Sequence, residues 1–107
     1  MTGLATKYDK DKIQYSLIPP ECLEELAKLY TTGANKYGKD NWKKGFADGQ
    51  LESALMRHFE AYRKGESRDK QDGQLHLTSV AWCAFTLMWL DSKHSDDDSI
   101  KKGIYKG

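Results

Sequence analysis

Three stretches of the chain repeat apolar residues at the spacing of one helical face. In the first stretch the apolar positions are Leu23, Leu26, Ala27 and Tyr30. Glutamates and a lysine share the opposite side, which is typical of an amphipathic helix. Pro20 supplies a favourable first turn, and Gly38 supplies an end. The pattern predicts a first helix that starts at the prolines and stops at Gly38.

Two further helices follow. The second is predicted over about 51–64, with Asp48 or its neighbour as cap and Gly65 as stop. Its apolar face carries Leu51, Ala54, Leu55, Phe59 and Tyr62. The third is predicted over about 75–91 and is apolar almost all round, so we expect it in the centre of the domain or in a subunit interface. The chain is therefore predicted to be all-α, a small helical bundle.

Outside these helices the pattern is irregular. Residues 1–18 mix charged and aromatic residues without a period, and we expect an extended segment there. Residues 19–91 contain the predicted helical domain, to which the candidate nucleotide-binding loop at 35–50 belongs. Residues 92–107 include an aspartate run at 96–98 and Lys101-Lys102, and are expected to form a mobile charged tail.

Composition narrows the class of protein. With 107 residues, 38% of them apolar and 31% charged, the chain is expected to build one core. Lys and Arg together number 17, and Asp and Glu together number 16, so the net charge is close to zero. The chain therefore lacks the strongly positive potential that attracts a nucleic acid polymer. Three helices also bury little surface by themselves, so we expect a homo-oligomer.

The expected location is the cytoplasm. The longest apolar run, Val80 to Leu90, is about half of the ~20 residues that a membrane span requires, so no membrane partner is expected. No signal peptide is visible at the N-terminus. Cys22 and Cys83 form neither a C-x-x-C pair nor a disulfide framework, and we expect reduced thiols in the core.

Three glutamates lie in the first predicted helix. Glu21, Glu24 and Glu25 are spaced by three and four residues, so their carboxylates fall on one side. Such a set attracts a hard divalent cation such as Mg²⁺ or Mn²⁺. Acidic side chains in a first turn are also typical of a solvated helix, where they interact with the helix dipole. Spacing alone leaves a metal site and a solvated surface both open.

Two histidines lie on the later helices. His58 falls on the apolar face of the second predicted helix, and His76 lies in the first turn of the third. The connector between them carries Glu66, Asp69 and Asp72. Along the third helix the less apolar positions form one line, namely His76, Ser79, Cys83 and Thr86. This line could face a pocket, or each histidine could be a hydrogen-bonded core residue.

The segment 35–50 is a candidate ligand loop. It carries Lys36, Tyr37, Asn41, Trp42, Lys43 and Lys44. Ammonium groups bind phosphate oxygens, and an aromatic face stacks on a base. The alternative is a solvated loop in which Trp42 folds back on the core as a lid. There is no Walker motif and no dinucleotide fingerprint, so phosphates would be held by side chains and metal.

Four short motifs together resemble a known family. They are Pro-Pro-x-x-Leu-Glu-Glu-Leu-Ala at 19–27, Gly-Ala-x-Lys-Tyr-Gly-x-x-Asn-Trp at 33–42, Arg57-His58 and His76-Leu77. In this combination the chain resembles the phage-associated dATP/dGTP diphosphohydrolases, which are related to the all-helical MazG-like pyrophosphohydrolases. The resemblance covers about residues 12–90.

The resemblance implies a metal-dependent enzyme that cleaves a purine nucleoside triphosphate into monophosphate and pyrophosphate, with Mg²⁺ or Mn²⁺ as cofactor. The implied catalytic residues are Glu24, Glu25, His58, Asp72 and His76. The implied metal ligands are Glu21, Glu24, Glu25, Glu66 and Asp69. The implied nucleotide contacts are Lys36, Tyr37, Asn41, Trp42, Lys43 and Arg57. The chain departs from the MazG pattern at Lys28, where a third glutamate is usual, and from the phage family at Ser79, where a second histidine often stands.

Two other functions remain open at this stage. One is a non-catalytic viral protein that sequesters a nucleotide immune signal in the same pocket. The other is a helical interaction module whose loop at 35–50 meets a protein partner.

Overall fold

A computed structural model describes residues 3–6, 8 and 11–94, in which three helices account for most of the chain. The helices are α1 at Pro20–Tyr37, α2 at Gln50–Arg63 and α3 at His76–His94. Two short 3-10 helices lie at Tyr15–Leu17 and Asn41–Lys44. Within the described residues, strand-like pairing is limited to an isolated bridge between Arg68 and Leu75. The prediction of a small all-α bundle is confirmed.

Glycines mark the end of α1 and the start of α2. Gly38, with φ of +97°, ends α1, and its N–H donates to the carbonyl of Ala34 at 2.9 Å. Before α2 the capping position is taken by Gly49, the neighbour of Asp48, with φ of +78° and no side-chain cap. A residue without Cβ tolerates that left-handed conformation at little cost.

The third helix is longer than predicted. It continues to His94, three residues beyond the expected end at Asp91. Ser92 is 6% exposed, and its hydroxyl donates to the carbonyl of Trp89 at 2.6 Å. The start of the predicted tail is therefore helical, whereas residues 95–107 lie outside the described part of the chain.

The extended segment predicted for 1–18 is mostly irregular where it is described, apart from the turn of 3-10 helix at Tyr15–Leu17. Its apolar side chains do not enter the core, since Leu4 is 85% exposed and Tyr8 90%.

Both α1 and α2 pack on α3. Leu51 at the start of α2 forms a buried cluster with Cys83 and Leu90 of α3. His58, two turns later in α2, contacts His76 at the start of α3, so these two helices are antiparallel. The α2–α3 hairpin is thus closed by apolar side chains at one end and by imidazoles at the other.

A neighbouring side of α3 receives α1. The ring of Tyr30 lies 5.6 Å from that of Trp82, centroid to centroid. Trp42, which follows α1, packs 5.1 Å from Trp89. The chain therefore leaves α1 near the carboxyl-terminal half of α3, and the glutamates at the start of α1 lie towards the end of the bundle where α3 begins.

One cysteine is not where the sequence suggested. Cys83 is 4% exposed, and burial raises the pKa of its thiol. Cys22 is exposed on α1, so the expectation that both thiols lie in the core is wrong for this residue. Cys22 has the helical spacing of the apolar face, but it lies one turn before Leu26, where no helix covers it.

A third side of α3 is open to solvent. Leu77 is 44% exposed, Phe85 53% and Met88 43%. The helix is thus apolar on a side that neither α1 nor α2 covers. None of the helices in the described part of the chain is long and apolar enough to cross a membrane.

A buried hydroxyl pair links α1 to α3. Thr86 has no exposed surface, and its Oγ1 lies 2.9 Å from the hydroxyl of Tyr30. Burial raises the pKa of Tyr30, so the phenol stays protonated and available as a donor or acceptor. The pair satisfies two polar groups that would otherwise sit unpaired between helices.

We expect Tyr30→Phe and Thr86→Val each to lower the free energy of unfolding by about 1 kcal/mol, because each change leaves one hydroxyl without its partner. The double variant should cost clearly less than the sum of the two single changes, since it leaves no orphan hydroxyl. Urea unfolding followed by circular dichroism measures all four proteins. Strictly additive costs would show that the two hydroxyls do not interact.

Candidate metal and nucleotide site

A chain of polar contacts crosses from α2 to the connector through His76. The Nδ1 atoms of His58 and His76 lie 2.8 Å apart. On the other side of the same ring, Nε2 of His76 lies 2.8 Å from Oε1 of Glu66. His76 is 4% exposed, so both of its nitrogens are satisfied by protein groups instead of water. Glu66 is half-buried, and its second oxygen, Oε2, lies 3.9 Å from the ammonium group of Lys70.

A second carboxylate joins this chain. One ring nitrogen of His58, one of His76 and one carboxylate oxygen of Asp69 all lie within 4.8 Å of one another. In the described part of the chain this is the one such group of three or more potential metal-binding side chains. We call these three residues the His–Asp cluster.

The electrostatics of the His–Asp cluster favour neutral imidazole at His58. Burial is the first cause that lowers the pKa of His58, and the charge of a protonated His76 is the second. Asp69 and Asp72 act in the opposite direction but do not reverse the shift. A neutral imidazole has a free lone pair, which is the form that accepts a proton or binds a metal.

The connector between α2 and α3 holds its carboxylates by local hydrogen bonds. Asp69 Oδ1 accepts from the N–H of Gln71 at 2.8 Å, and Asp72 Oδ1 accepts from the N–H of Gln74 at 2.9 Å. Gly73 turns the chain with φ of +74°, and its N–H donates to the carbonyl of Asp69 at 2.8 Å. Each aspartate therefore has one oxygen fixed by the turn and a second that is not used by it.

The line of less apolar positions along α3 faces the other two helices. His76, Cys83 and Thr86 are buried, and Ser79 is half-buried. Only the first residue of the line belongs to the His–Asp cluster. Thr86 instead holds α1, so the line serves packing for most of its length.

The glutamates of α1 are not part of the His–Asp cluster. Glu21 and Glu24 are exposed, and Glu25 is half-buried with its carboxylate 3.5 Å from Lys28. The lysine that departs from the MazG pattern thus forms an ion pair with a residue implied to be catalytic. A metal-binding role for the three glutamates stays a prediction.

The lysine-rich loop divides into a packed part and an exposed part. Trp42 lies edge-on to both Tyr30 and Trp89, with ring centroids 5.7 and 5.1 Å away. Lys43 covers it, with Nζ 5.6 Å from its centroid. Tyr37, the last residue of α1, is 62% exposed, and the ammonium group of Lys36 lies 5.3 Å from its ring centroid. Trp42 therefore folds back on the core as a lid, while Tyr37 stays open to solvent.

A shallow cavity of about 210 Å³ opens beside this lid. Its lining residues are Tyr30, Thr31, Ala34, Lys39, Asp40 and Trp42. Of these, only Trp42 was expected to contact a ligand. Asp40 was missed, although its left-handed backbone, with φ of +60°, marks it as unusual for a residue with a side chain. The other implied nucleotide contacts, Asn41 and Arg57, are half-buried and exposed respectively.

We expect Trp42→Ala to lower the free energy of unfolding by about 2–4 kcal/mol, because it removes a half-buried ring that packs on two helices. Tyr37→Ala is the matched control, since it removes an exposed ring from the same predicted contact set and should cost less than about 0.5 kcal/mol. Chemical unfolding of the two variants separates the roles. If both variants lowered the free energy of unfolding by the same small amount, the packing of Trp42 on the core as a lid would be contradicted.

Comparisons with known proteins agree on one family. A family model described as dATP/dGTP diphosphohydrolase, N-terminal, matches residues 2–100. The dATP/dGTP diphosphohydrolase of Salmonella phage PMBT28 is 33% identical over 99 residues, which cover 92% of this chain and 33% of that protein. The chain thus spans about a third of the length of this curated relative. No solved structure matches the chain. Since the family model covers nearly the whole sequence, the chain belongs to the family of dATP/dGTP diphosphohydrolase N-terminal domains.

Proposed function

We propose that this protein is a metal-dependent nucleoside triphosphate pyrophosphohydrolase that acts in the cytoplasm on purine (deoxy)nucleotides. The products are the nucleoside monophosphate and pyrophosphate. The observation that carries the proposal is the meeting of His58, Asp69 and His76 within 4.8 Å of one another, in a chain of this family. The substrate is a small molecule, and neither a nucleic acid polymer nor a membrane is a proposed partner.

The residues present fit a divalent ion. Asp69 and Glu66 each have a carboxylate oxygen beyond the one held by a hydrogen bond, and carboxylate oxygen is a ligand of both Mg²⁺ and Mn²⁺. Glu21, Glu24 and Glu25 complete the proposed ligand set from α1. When bound, such an ion neutralises the polyphosphate and lowers the pKa of a bound water.

The side chains of the site supply the proton transfers. His58 is neutral at ordinary pH because burial lowers its pKa, so its imidazole accepts a proton from the attacking water. His76 is held in one orientation by Glu66 and in turn orients His58. Asp72 adds negative charge near His58, which stabilises the imidazolium form after proton uptake.

Basic side chains bind the phosphates in this proposal. Arg57 precedes His58 on α2 and is exposed, yet its charge is felt by His58. Lys36 is exposed in the last turn of α1, and Lys43 is exposed in the 3-10 helix that follows, where it pairs with Asp40 at 3.4 Å. In the proposal both ammonium groups donate to phosphate oxygens. Tyr37 and Asn41 contact the nucleoside, and Trp42 forms one wall of the cavity beside them.

We expect the purified protein to convert purine deoxynucleoside triphosphates to monophosphate and pyrophosphate when Mg²⁺ or Mn²⁺ is present. Asp69→Asn and Glu25→Gln should each lower kcat at least about 100-fold, since a lost metal ligand removes several kcal/mol of charge stabilisation. Nucleotide binding should weaken less than turnover. Ion-exchange chromatography of the products and equilibrium dialysis of the nucleotide measure the two effects.

Glu60→Gln is the control for this experiment. Glu60 is exposed on α2 and pairs with Arg63 at 2.8 Å, so its loss should leave kcat unchanged. Products other than monophosphate and pyrophosphate would overturn the proposed reaction. Tight binding with nucleotide recovered intact would favour sequestration instead, and equal losses of binding and turnover in Glu25→Gln would contradict its role as a ligand of a catalytic metal.

The proposal includes a homo-oligomer built on the open side of α3. Leu77, Phe85 and Met88 recur on one face of this helix and are each more than two-fifths exposed. They fall at the helical spacing that presents a continuous stripe. Leaving such a stripe in water costs free energy that a second copy of the same helix recovers. In this proposal α3 of a second copy packs against the stripe, because its side chains are equally apolar.

We expect light scattering after size exclusion to give a mass of more than one chain for the wild-type protein. Phe85→Glu should shift it to a monomer, because it places a charge in the middle of the apolar stripe. Ser53→Glu adds the same charge at an exposed polar position of α2 and should leave the mass unchanged. A monomeric wild-type protein at all concentrations would contradict the oligomer.

A further inference from the structure

The donor atoms of the His–Asp cluster differ from those of a typical magnesium site. Two of its three side chains offer imidazole nitrogen, and one offers carboxylate oxygen. Mg²⁺ requires an octahedral shell of oxygen and is bound through carboxylates, phosphates and water. Imidazole nitrogen instead suits later first-row transition ions such as Fe²⁺, Ni²⁺, Cu²⁺ and Zn²⁺, whereas Mn²⁺ resembles Mg²⁺ in its preference for oxygen.

Glu66 determines which nitrogen of His76 faces the cluster with a lone pair. Its carboxylate accepts a hydrogen bond from Nε2 of His76 at 2.8 Å, so the proton of the neutral ring belongs on Nε2. Nδ1 is then unprotonated and faces Nδ1 of His58 at 2.8 Å. A carboxylate behind a histidine ring is the arrangement that orients metal-ligating histidines and raises their basicity.

The proton balance of metal binding is simple at this site. Without metal, His58 donates from Nδ1 to Nδ1 of His76, which uses the lone pair of His76. With metal, the proton of His58 moves to its Nε2, so that both Nδ1 lone pairs are available. Asp69 contributes a carboxylate oxygen as the third donor atom. Neither imidazole has to release a proton to the solvent.

We propose that His58, Asp69 and His76 bind one first-row transition ion in preference to Mg²⁺, with Glu66 as the positioning residue behind His76. Two histidines and one carboxylate leave coordination positions open, as in catalytic metal sites. This inference goes beyond the proposed function, because it assigns the two imidazoles as ligands and because binding is measurable without any nucleotide. It replaces the roles proposed above for His58 as proton acceptor and for Glu66 as ligand, since an imidazole that binds the ion through Nδ1 and carries its proton on Nε2 has no lone pair left for a proton.

The experiment is a titration of the metal-free protein with Co²⁺, followed by visible d–d absorption and by calorimetry. It is done in the Cys22→Ser background, because the exposed thiol of Cys22 is itself a ligand for soft ions. We expect saturation at one Co²⁺ per chain. Zn²⁺ should displace the signal, and a 1,000-fold excess of Mg²⁺ (~4 kcal/mol in relative affinity) should not.

Three variants test the assignment. Asp69→Asn keeps the hydrogen bond from Gln71 through its remaining oxygen, so the turn is preserved while the anionic ligand is lost. His58→Ala removes a half-buried ring. Both should abolish the Co²⁺ absorption with helix content unchanged by circular dichroism. Glu66→Gln should raise the Kd for Co²⁺ about 10-fold or more, because it weakens the orientation and basicity of His76 without removing a ligand.

Glu60→Gln serves as the control and should bind Co²⁺ as the parent does. Absence of a saturable signal, displacement by Mg²⁺, or full binding in Asp69→Asn would each overturn the inference. The outcome is separable from that of the proposed function. Hydrolysis with Mg²⁺ but no Co²⁺ binding would refute only the transition-metal centre, whereas Co²⁺ binding without hydrolysis would refute only the enzyme.

Discussion

The packing of α3 is the constraint on which the rest of the structure depends. Its sequence is apolar on almost every side, yet the described chain offers only two helices to cover it. α2 covers one side with Leu51 and its neighbours, and α1 covers another with Tyr30. Every polar residue on these covered sides has to find a partner across a helix interface, since water is excluded there.

Two buried polar residues of α3 meet this requirement in different ways. Thr86 pairs with the hydroxyl of Tyr30, a neutral contact that fixes α1 against α3. His76 pairs with His58 on one side and Glu66 on the other, and these partners are ionisable. The first contact has no chemistry beyond structure. The contacts of His76 bring ionisable side chains from α2 and from the connector together at one end of the bundle. The candidate site therefore lies at that end.

The sequence predicted the helices well because their signals are local. Prolines, glycines and the period of apolar residues lie within each helix, and α1 and α2 end within a residue of the predicted positions. The end of α3 was missed because Ser92 is polar in sequence, whereas in the fold its hydroxyl returns to the backbone and its side chain is buried.

The candidate site was predicted less completely because it depends on contacts between helices. The structure brings His58, Asp69 and His76 together, since both helices and a short connector restrict where these residues lie, and their role in a site stays a prediction. The spacing of apolar residues predicts each helix but not which helix lies beside the start of α1. The three glutamates were therefore grouped with the histidines on the family resemblance alone. Trp42 was equally ambiguous, because an aromatic ring in a loop either stacks on a ligand or on the core, and only its contacts with Tyr30 and Trp89 distinguish the two.

The connector between α2 and α3 explains how so small a protein positions ionisable groups. Its turns are held by its own aspartates, by the side chain of Arg68 on the carbonyl of Gly73 at 2.9 Å, and by the N–H of His76 on the carbonyl of Ser67. These bonds use backbone groups and one oxygen of each aspartate, so the connector is ordered without help from a large core. Preorganisation of this kind lowers the entropy lost when a cation or phosphate binds. The three helices of the described residues can therefore hold several ionisable groups in defined positions because the ordering is local to one connector.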